Sequence, residues 1–128
     1  MREVQVQTGA RRQLVDVTAR VQEAVAALGG TDGHCHVFVP HTTAAVIVNE
    51  NADPDVGHDL LACYEAMVPR VPFRHGEGNS DAHFLATVIG GSLLLPVLSG
   101  RLRLGTWQGV FFVELDGPRS RKLWVSIV

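Results

Sequence analysis

The segment Arg74 to His83, Arg-His-Gly-Glu-Gly-Asn-Ser-Asp-Ala-His, packs two histidines, a glutamate, an aspartate, an asparagine and an arginine into ten residues. Gly76 and Gly78 flank Glu77 and allow the backbone to approach a ligand closely. Imidazole and carboxylate together suit a divalent metal: zinc, or manganese and magnesium where oxygen ligands prevail. His75 and His83 do not have the spacing of a zinc-binding HExxH helix, so a solvated surface loop is the competing reading. His41 sits between two apolar stretches, in Pro40-His41-Thr42-Thr43. A tight strand-to-strand connection there presents its imidazole at a sheet end. The alternative is a histidine bonded to a nearby backbone carbonyl.

Two further sets of polar residues stand out. Asn49-Glu50-Asn51 follows the second apolar stretch, and Gly105-Thr106-Trp107-Gln108-Gly109 is a glycine-flanked bend with Glu114 beyond it. Thr106 and Gln108 can bind a polar ligand through hydroxyl and amide, while Trp107 is expected to pack in a core or interface. Arg101, Arg103, Arg119, Arg121 and Lys122 make the C-terminal third locally basic. Arg119 and Arg121 follow the turn Gly117-Pro118 and are the better phosphate ligands of the five. A solvated turn explains them equally well.

The remaining histidines have structural readings. His34 and His36 alternate along a strand, so both face one side with Phe38. His58 is expected on the solvent side of a helix. Cys35 and Cys63 form no metal-binding or redox spacing and are expected as reduced, largely buried thiols. No phosphate-binding loop, dinucleotide fingerprint or nucleophile elbow is present.

The elements that must carry these residues follow from periodicity. Strands are expected over Glu3 to Thr8, Gln13 to Val17, His34 to Val39, Ala44 to Val48, Ser92 to Leu98, Val110 to Leu115 and Leu123 to Val128. Pro96 inside one of them predicts an edge or bulged strand. A helix is expected over Ala19 to Leu28, capped by Thr18 and ended by Gly29-Gly30. A second runs from Pro54 to Met67 after the cap Asp53, with Val56, Leu60, Leu61, Tyr64 and Met67 as its apolar stripe. A third, short helix covers Ala82 to Ile89, with Asp81 at its N-terminus. Strands dominate without regular βαβ alternation. The expected class is α+β: a mixed or antiparallel β-sandwich or open barrel with two to three inserted helices.

The 128 residues suit one domain, spanning 1–128. Hydrophobic residues make up 46% and charged residues 19%, which excludes a disordered polyelectrolyte. A formal charge of −2 and 6% aromatics argue against a nucleic-acid surface. No apolar run is long enough to span a membrane, and the first residues lack a signal peptide's apolar region, so a cytoplasmic protein is expected.

Taken together, three segments carry a resemblance. They are His41-Thr42-Thr43-Ala44-Ala45 with Asn49 to Pro54, the run Arg74 to His83, and Gly100-Arg101-Leu102 with Gly105 to Gly109. In order and spacing they are similar to the YjbQ-like family, known as secondary thiamine-phosphate synthases. The resemblance implies an α+β sandwich assembling as a homotrimer, with metal-linked polar sites near subunit interfaces. It also implies a weak activity that joins a pyrimidine pyrophosphate to a thiazole phosphate and expels pyrophosphate. On that view His41, His75 and His83 are the metal ligands. Glu77 and Asp81 complete or orient the metal shell as catalytic carboxylates. Asn51, Thr106, Gln108, Arg119 and Arg121 bind substrate. A non-catalytic metal-binding or small-molecule-binding trimer and a metal-dependent phosphohydrolase are the alternatives. The apolar run Val110 to Val113 and Trp107 are the segments expected to suit a subunit interface.

Overall fold

A computed structural model describes residues 1–128. Its strands are β1 (Arg2–Gln7), β2 (Gln13–Asp16), β3 (Gly33–Phe38), β4 (Ala44–Glu50), β5 (Ser92–Leu98), β6 (Arg101–Leu102), β7 (Gln108–Glu114) and β8 (Ser120–Ile127). Its helices are α1 (Thr18–Ala27), α2 (Pro54–Met67) and α3 (Ser80–Ile89). The fold is α+β, and every strand pairing is antiparallel.

One sheet has the order β1-β8-β3-β5-β6 and the other β2-β7-β4. Between them lies a core of 16 buried residues, including Val6, Val37, Val46, Phe112, Leu123 and Val125, closed by Val21 and Val25 of α1. The far face of the three-stranded sheet is covered too. Ala45, Val113 and Leu115 pack against Ala82 and Leu85 of α3. A strand buried on both faces needs apolar residues at successive positions. This is why Val110 to Val113 read as a continuous apolar run. It fills two cores: Val110, Phe112 and Val113 are fully buried within the chain, and only Phe111 of the run keeps part of its surface open.

Local chemistry explains the helix ends, with one revision. Thr18 is the first helical residue and not the cap. The Asp16 carboxylate accepts the Thr18 backbone N–H at 2.9 Å and its hydroxyl at 2.6 Å, and that hydroxyl in turn accepts the Val110 N–H at 2.9 Å. The other end of α1 is a Schellman motif. Gly29 lies at φ 72°, its N–H donates to the Ala26 carbonyl, and the Gly30 N–H donates to the Val25 carbonyl. Asp53 caps α2 by accepting the Asp55 N–H at 2.9 Å, with Pro54 in the first turn. The helix stops at Met67, ahead of Pro69.

The apolar stripe expected on α2 is only half-covered. Val56, Leu60, Leu61 and Tyr64 are half-buried, Met67 is exposed, and no residue of α2 is buried. Cys63 is exposed for the same reason, against the expectation of a buried thiol, whereas burial pushes the Cys35 thiol up to about 11. Trp107 is also outside the core, at 63% exposure.

On the outer face of the five-stranded sheet nothing covers Leu94, Leu98 and Phe38, and Phe38 stacks on Trp124 with ring centres 5.8 Å apart. His34 and His36 share that face, in keeping with their alternation along β3. No helix of the chain is long and apolar enough to cross a membrane.

Candidate functional site

An open cleft of about 700 Å³ lies at one end of the sandwich. Three distant pieces of chain build it. The β3–β4 connection contributes Phe38 to Thr43, the loop before α3 contributes His75, Glu77 and Asn79, and Arg119 and Arg121 come from the start of β8. His83, one turn into α3, completes the wall. The sheet ends place the first and last pieces side by side. Ala44 opens β4 opposite Glu114, the last residue of β7, and the Leu115 N–H donates to the Thr43 carbonyl at 3.2 Å.

The floor is a buried ion pair. Arg121 donates from Nε to Glu114 Oε1 at 2.9 Å and from Nη2 to Oε2 at 2.5 Å. The same Nη2 reaches the Thr43 hydroxyl at 2.8 Å. Glu114 Oε1 also accepts the Thr8 hydroxyl at 2.7 Å, and Oε2 accepts the N–H groups of Leu115 and Asp116. Burial opposes ionisation of Glu114. The bonds from Arg121, Thr8 and the backbone outweigh it and hold the carboxyl below its ordinary range. Arg121 therefore lines the cleft with its charge matched by Glu114.

Arg119 differs. Its side chain is 52% exposed and held by Asp116, through Nε to the carbonyl at 2.7 Å and Nη2 to the carboxylate at 3.0 Å. Asn79 donates to that same carboxylate at 2.9 Å. The Asn79 Oδ1 is sealed from solvent and unpartnered.

His75 and His83 meet edge-on with ring centres 5.6 Å apart. Glu77 Oε1 lies 3.9 Å from His75 Nε2. Gly78, at φ 75°, turns the loop so that its N–H closes on the His75 carbonyl at 3.2 Å. His41 is half-buried, and its Nε2 accepts the Lys122 backbone N–H at 3.0 Å. Burial and then the Arg121 charge lower the pKa of His41. No three His, Cys, Asp or Glu side chains stand together as a metal-holding group. His75 and His83 form a pair, and the residues as placed do not complete a metal shell.

Not every expected residue comes to this cleft. Asp81 faces away from it, in α3's first turn, where it pairs with Arg11 at 2.8 Å and closely with Arg12. Burial opposes its ionisation, yet hydrogen bonds from Arg11 and the Ala82 N–H prevail and lower its pKa. Arg12 also reaches Glu65 of α2 at 2.8 Å. Asp81 and Arg12 thus fasten α2 and α3, and the loop between them, to β2. Asp81→Ala leaves a mostly buried Arg12 without its main partner. We expect a loss of about 2 kcal/mol, below the full cost of breaking a wholly buried pair, read as a lower urea midpoint at unchanged slope.

Asn51, Thr106 and Gln108 lie elsewhere. β4 and β7 run antiparallel from the pair Ala44–Glu114 to the pair Glu50–Gln108, so these residues sit at the opposite end of the strands. The separation is about 20 Å at strand rise. Gln108 accepts the Gly105 N–H at 2.8 Å, and Asn51 bonds to Asp16 at 3.2 Å. Asn51 and His58 border a second cavity of about 380 Å³ beside α2, and Thr106 lines neither cavity. The sequence assigns no site role to Glu114, Asp116 or Asn79, although Glu114 and Asn79 belong to its polar segments. The only signal for Glu114 was a carboxylate inside an otherwise apolar strand.

The sequence profile described as UPF0047 protein YjbQ-like matches residues 2–128. The chain belongs to this family. Among its YjbQ-like relatives, a UPF0047 protein of Methanocaldococcus jannaschii is 43% identical over 97% of this chain and 91% of its own length. The UPF0047 protein YugU of Bacillus subtilis is 39% identical over 100% of this chain and 98% of its own. A crystal structure of an uncharacterised YjbQ/UPF0047 protein from Clostridium acetobutylicum is 45% identical, covers 100% of both chains and superposes with a TM-score of 0.95. The Clostridium protein carries the same fold along its whole length.

Proposed function

We propose that the cleft binds a small phosphorylated metabolite, and that its reaction is of the thiamine-phosphate synthase type, joining a pyrimidine pyrophosphate to a thiazole phosphate with release of pyrophosphate. One observation carries this reading: three imidazoles and the half-exposed Arg119 converge, from three remote segments, on one open cleft. Expelling pyrophosphate builds negative charge on the leaving group, which fixed cationic and N–H donors stabilise. Arg119, held rigid by Asp116, is placed to meet that charge. His75 and His83 add donors, and Glu77 is the nearest carboxylate able to hold a proton or orient His75.

The divalent metal enters as a companion of pyrophosphate, with His75 and His83 as the side chains that would meet it. The double variant His75→Ala/His83→Ala is expected to bring less zinc or manganese through dialysis than the wild type. Unchanged stoichiometry rejects these ligands.

The working unit we propose is a homotrimer. The uncovered apolar face carrying Leu94, Leu98 and Phe38 supports it, because Phe38 also borders the cleft. Sedimentation equilibrium giving a monomer at micromolar concentration would contradict it.

The reaction is tested by pyrophosphate release. The synthase reading expects release only with both substrates present. Phosphate or pyrophosphate freed from one substrate alone identifies a hydrolase. Thermal stabilisation by substrate without turnover identifies a binding protein.

A further inference from the structure

The ladder between β3 and β8 runs from Cys35–Ile127 to Phe38–Trp124 and stops there. Extended by two more steps, the register would set Pro40 opposite Lys122. Proline ends the strand, and the Lys122 N–H is left facing the gap. His41 fills it: its Nε2 accepts that N–H at 3.0 Å. The ring is further fixed edge-on to Phe112, at 82° with centres 6.5 Å apart.

This bond decides the tautomer. A nitrogen that accepts an N–H must present its lone pair, so Nε2 carries no proton and the neutral ring carries it on Nδ1. Nδ1 has no partner within the chain and is not among the sealed, unpartnered polar atoms, and the ring borders the cleft. The cleft therefore receives an N–H from His41. Coordination of a metal at Nδ1 would need that proton removed while Nε2 still accepts from Lys122, which makes the ring an imidazolate. Burial and the neighbouring Arg121 also keep the ring from gaining a second proton near neutral pH.

We propose that His41 is a positioning residue of fixed tautomer, offering Nδ1–H to a phosphoryl oxygen in the cleft, and that it is not a metal ligand. The ligand class rests on the reading given under Proposed function, whereas the tautomer rests on the Lys122 bond alone. The role is one of orientation: a neutral donor set by the backbone selects an acceptor oxygen at one place in the cleft.

The test is nitrogen NMR of the full chain labelled at histidine ring nitrogens, near pH 7.5. The His41 ring is identified by its loss in His41→Asn or, if that variant does not fold, by its proximity to Phe112. The expected spectrum has Nδ1 protonated and Nε2 unprotonated. Added pyrophosphate should shift the Nδ1–H signal and keep the tautomer, and added zinc should perturb His75 and His83 while His41 retains its Nδ1–H. His41→Asn should weaken pyrophosphate binding about tenfold. An Nε2–H tautomer, or loss of the Nδ1–H on zinc addition, overturns the proposal. Pyrophosphate shifting His75 and His83 but not His41 overturns this role and leaves the phosphate reading standing. Pyrophosphate moving no cleft resonance overturns both.

Discussion

Glu114→Ala should lower the unfolding free energy by about 3–5 kcal/mol, among the largest losses of any single substitution in the chain. Arg121 is 6% exposed and Glu114 wholly buried, so the variant strands a guanidinium with no counter-charge. The Asp116 N–H loses its carboxylate acceptor as well, whereas the Leu115 N–H keeps the Thr43 carbonyl and the Thr8 hydroxyl keeps the Arg119 carbonyl. Glu114→Leu combined with Arg121→Met removes both charges and should restore most of the lost stability, because a buried ion pair is stabilising mainly relative to its broken halves. Urea unfolding of the single and double variants checks both statements. The double variant nevertheless frees the Thr43 hydroxyl at the cleft floor, so its stability and its ligand binding should separate.

The same carboxylate predicts the acid behaviour. The folded pKa of Glu114 lies below its ordinary value of 4.5. Its contribution to stability is thus complete above that value and is lost as pH falls through the folded pKa. Asp16, Asp81 and Asp116 are lowered too, from 3.8, and add the same sign. The urea midpoint should therefore fall steeply only below about pH 4, and Glu114→Gln should flatten part of that fall.

The second large effect concerns ligand binding. Arg119→Ala with His83→Ala should weaken pyrophosphate binding about a hundredfold or more, since two charge-assisted or ionic hydrogen bonds are removed at once. Both side chains are at least partly open to solvent, so the double variant should unfold within about 1 kcal/mol of the wild type. Asn51→Ala, at the far end of β4, should leave pyrophosphate affinity unchanged. Titration calorimetry on the three proteins separates the cleft from the opposite sheet end.

Local signals in the sequence account for much of this architecture. Asp53-Pro54 and Gly29-Gly30 mark helix ends by their own conformational preferences, and α2 begins and ends where the sequence predicts. The alternation along β3 and the apolar run of β7 locate strands. Which end of a strand a loop occupies is a matter of pairing. His41 and Asn51 are near neighbours in sequence, yet β4 lies between them as an extended rod and carries them to opposite ends. The Glu114–Arg121 pair is equally hidden, because Glu114 reads as a lone carboxylate in an apolar strand and Arg121 as a solvated charge near a turn. Asp81 sits in the run densest in metal-ligand types, but helix geometry turns it from the cleft toward Arg11 and Arg12. Residue-type averages place Cys63 in a core, but they say nothing of which helix face the fold leaves uncovered, and Cys63 is exposed on α2.

The central claim is that the cleft, and no other surface, takes a phosphorylated ligand. The most direct test is a crystal structure of the wild-type chain with pyrophosphate. The expected result is pyrophosphate in the cleft, within hydrogen-bond distance of Arg119 and of at least one of His41, His75 and His83. Pyrophosphate in the cavity beside α2, or at no defined position when saturating, would contradict it.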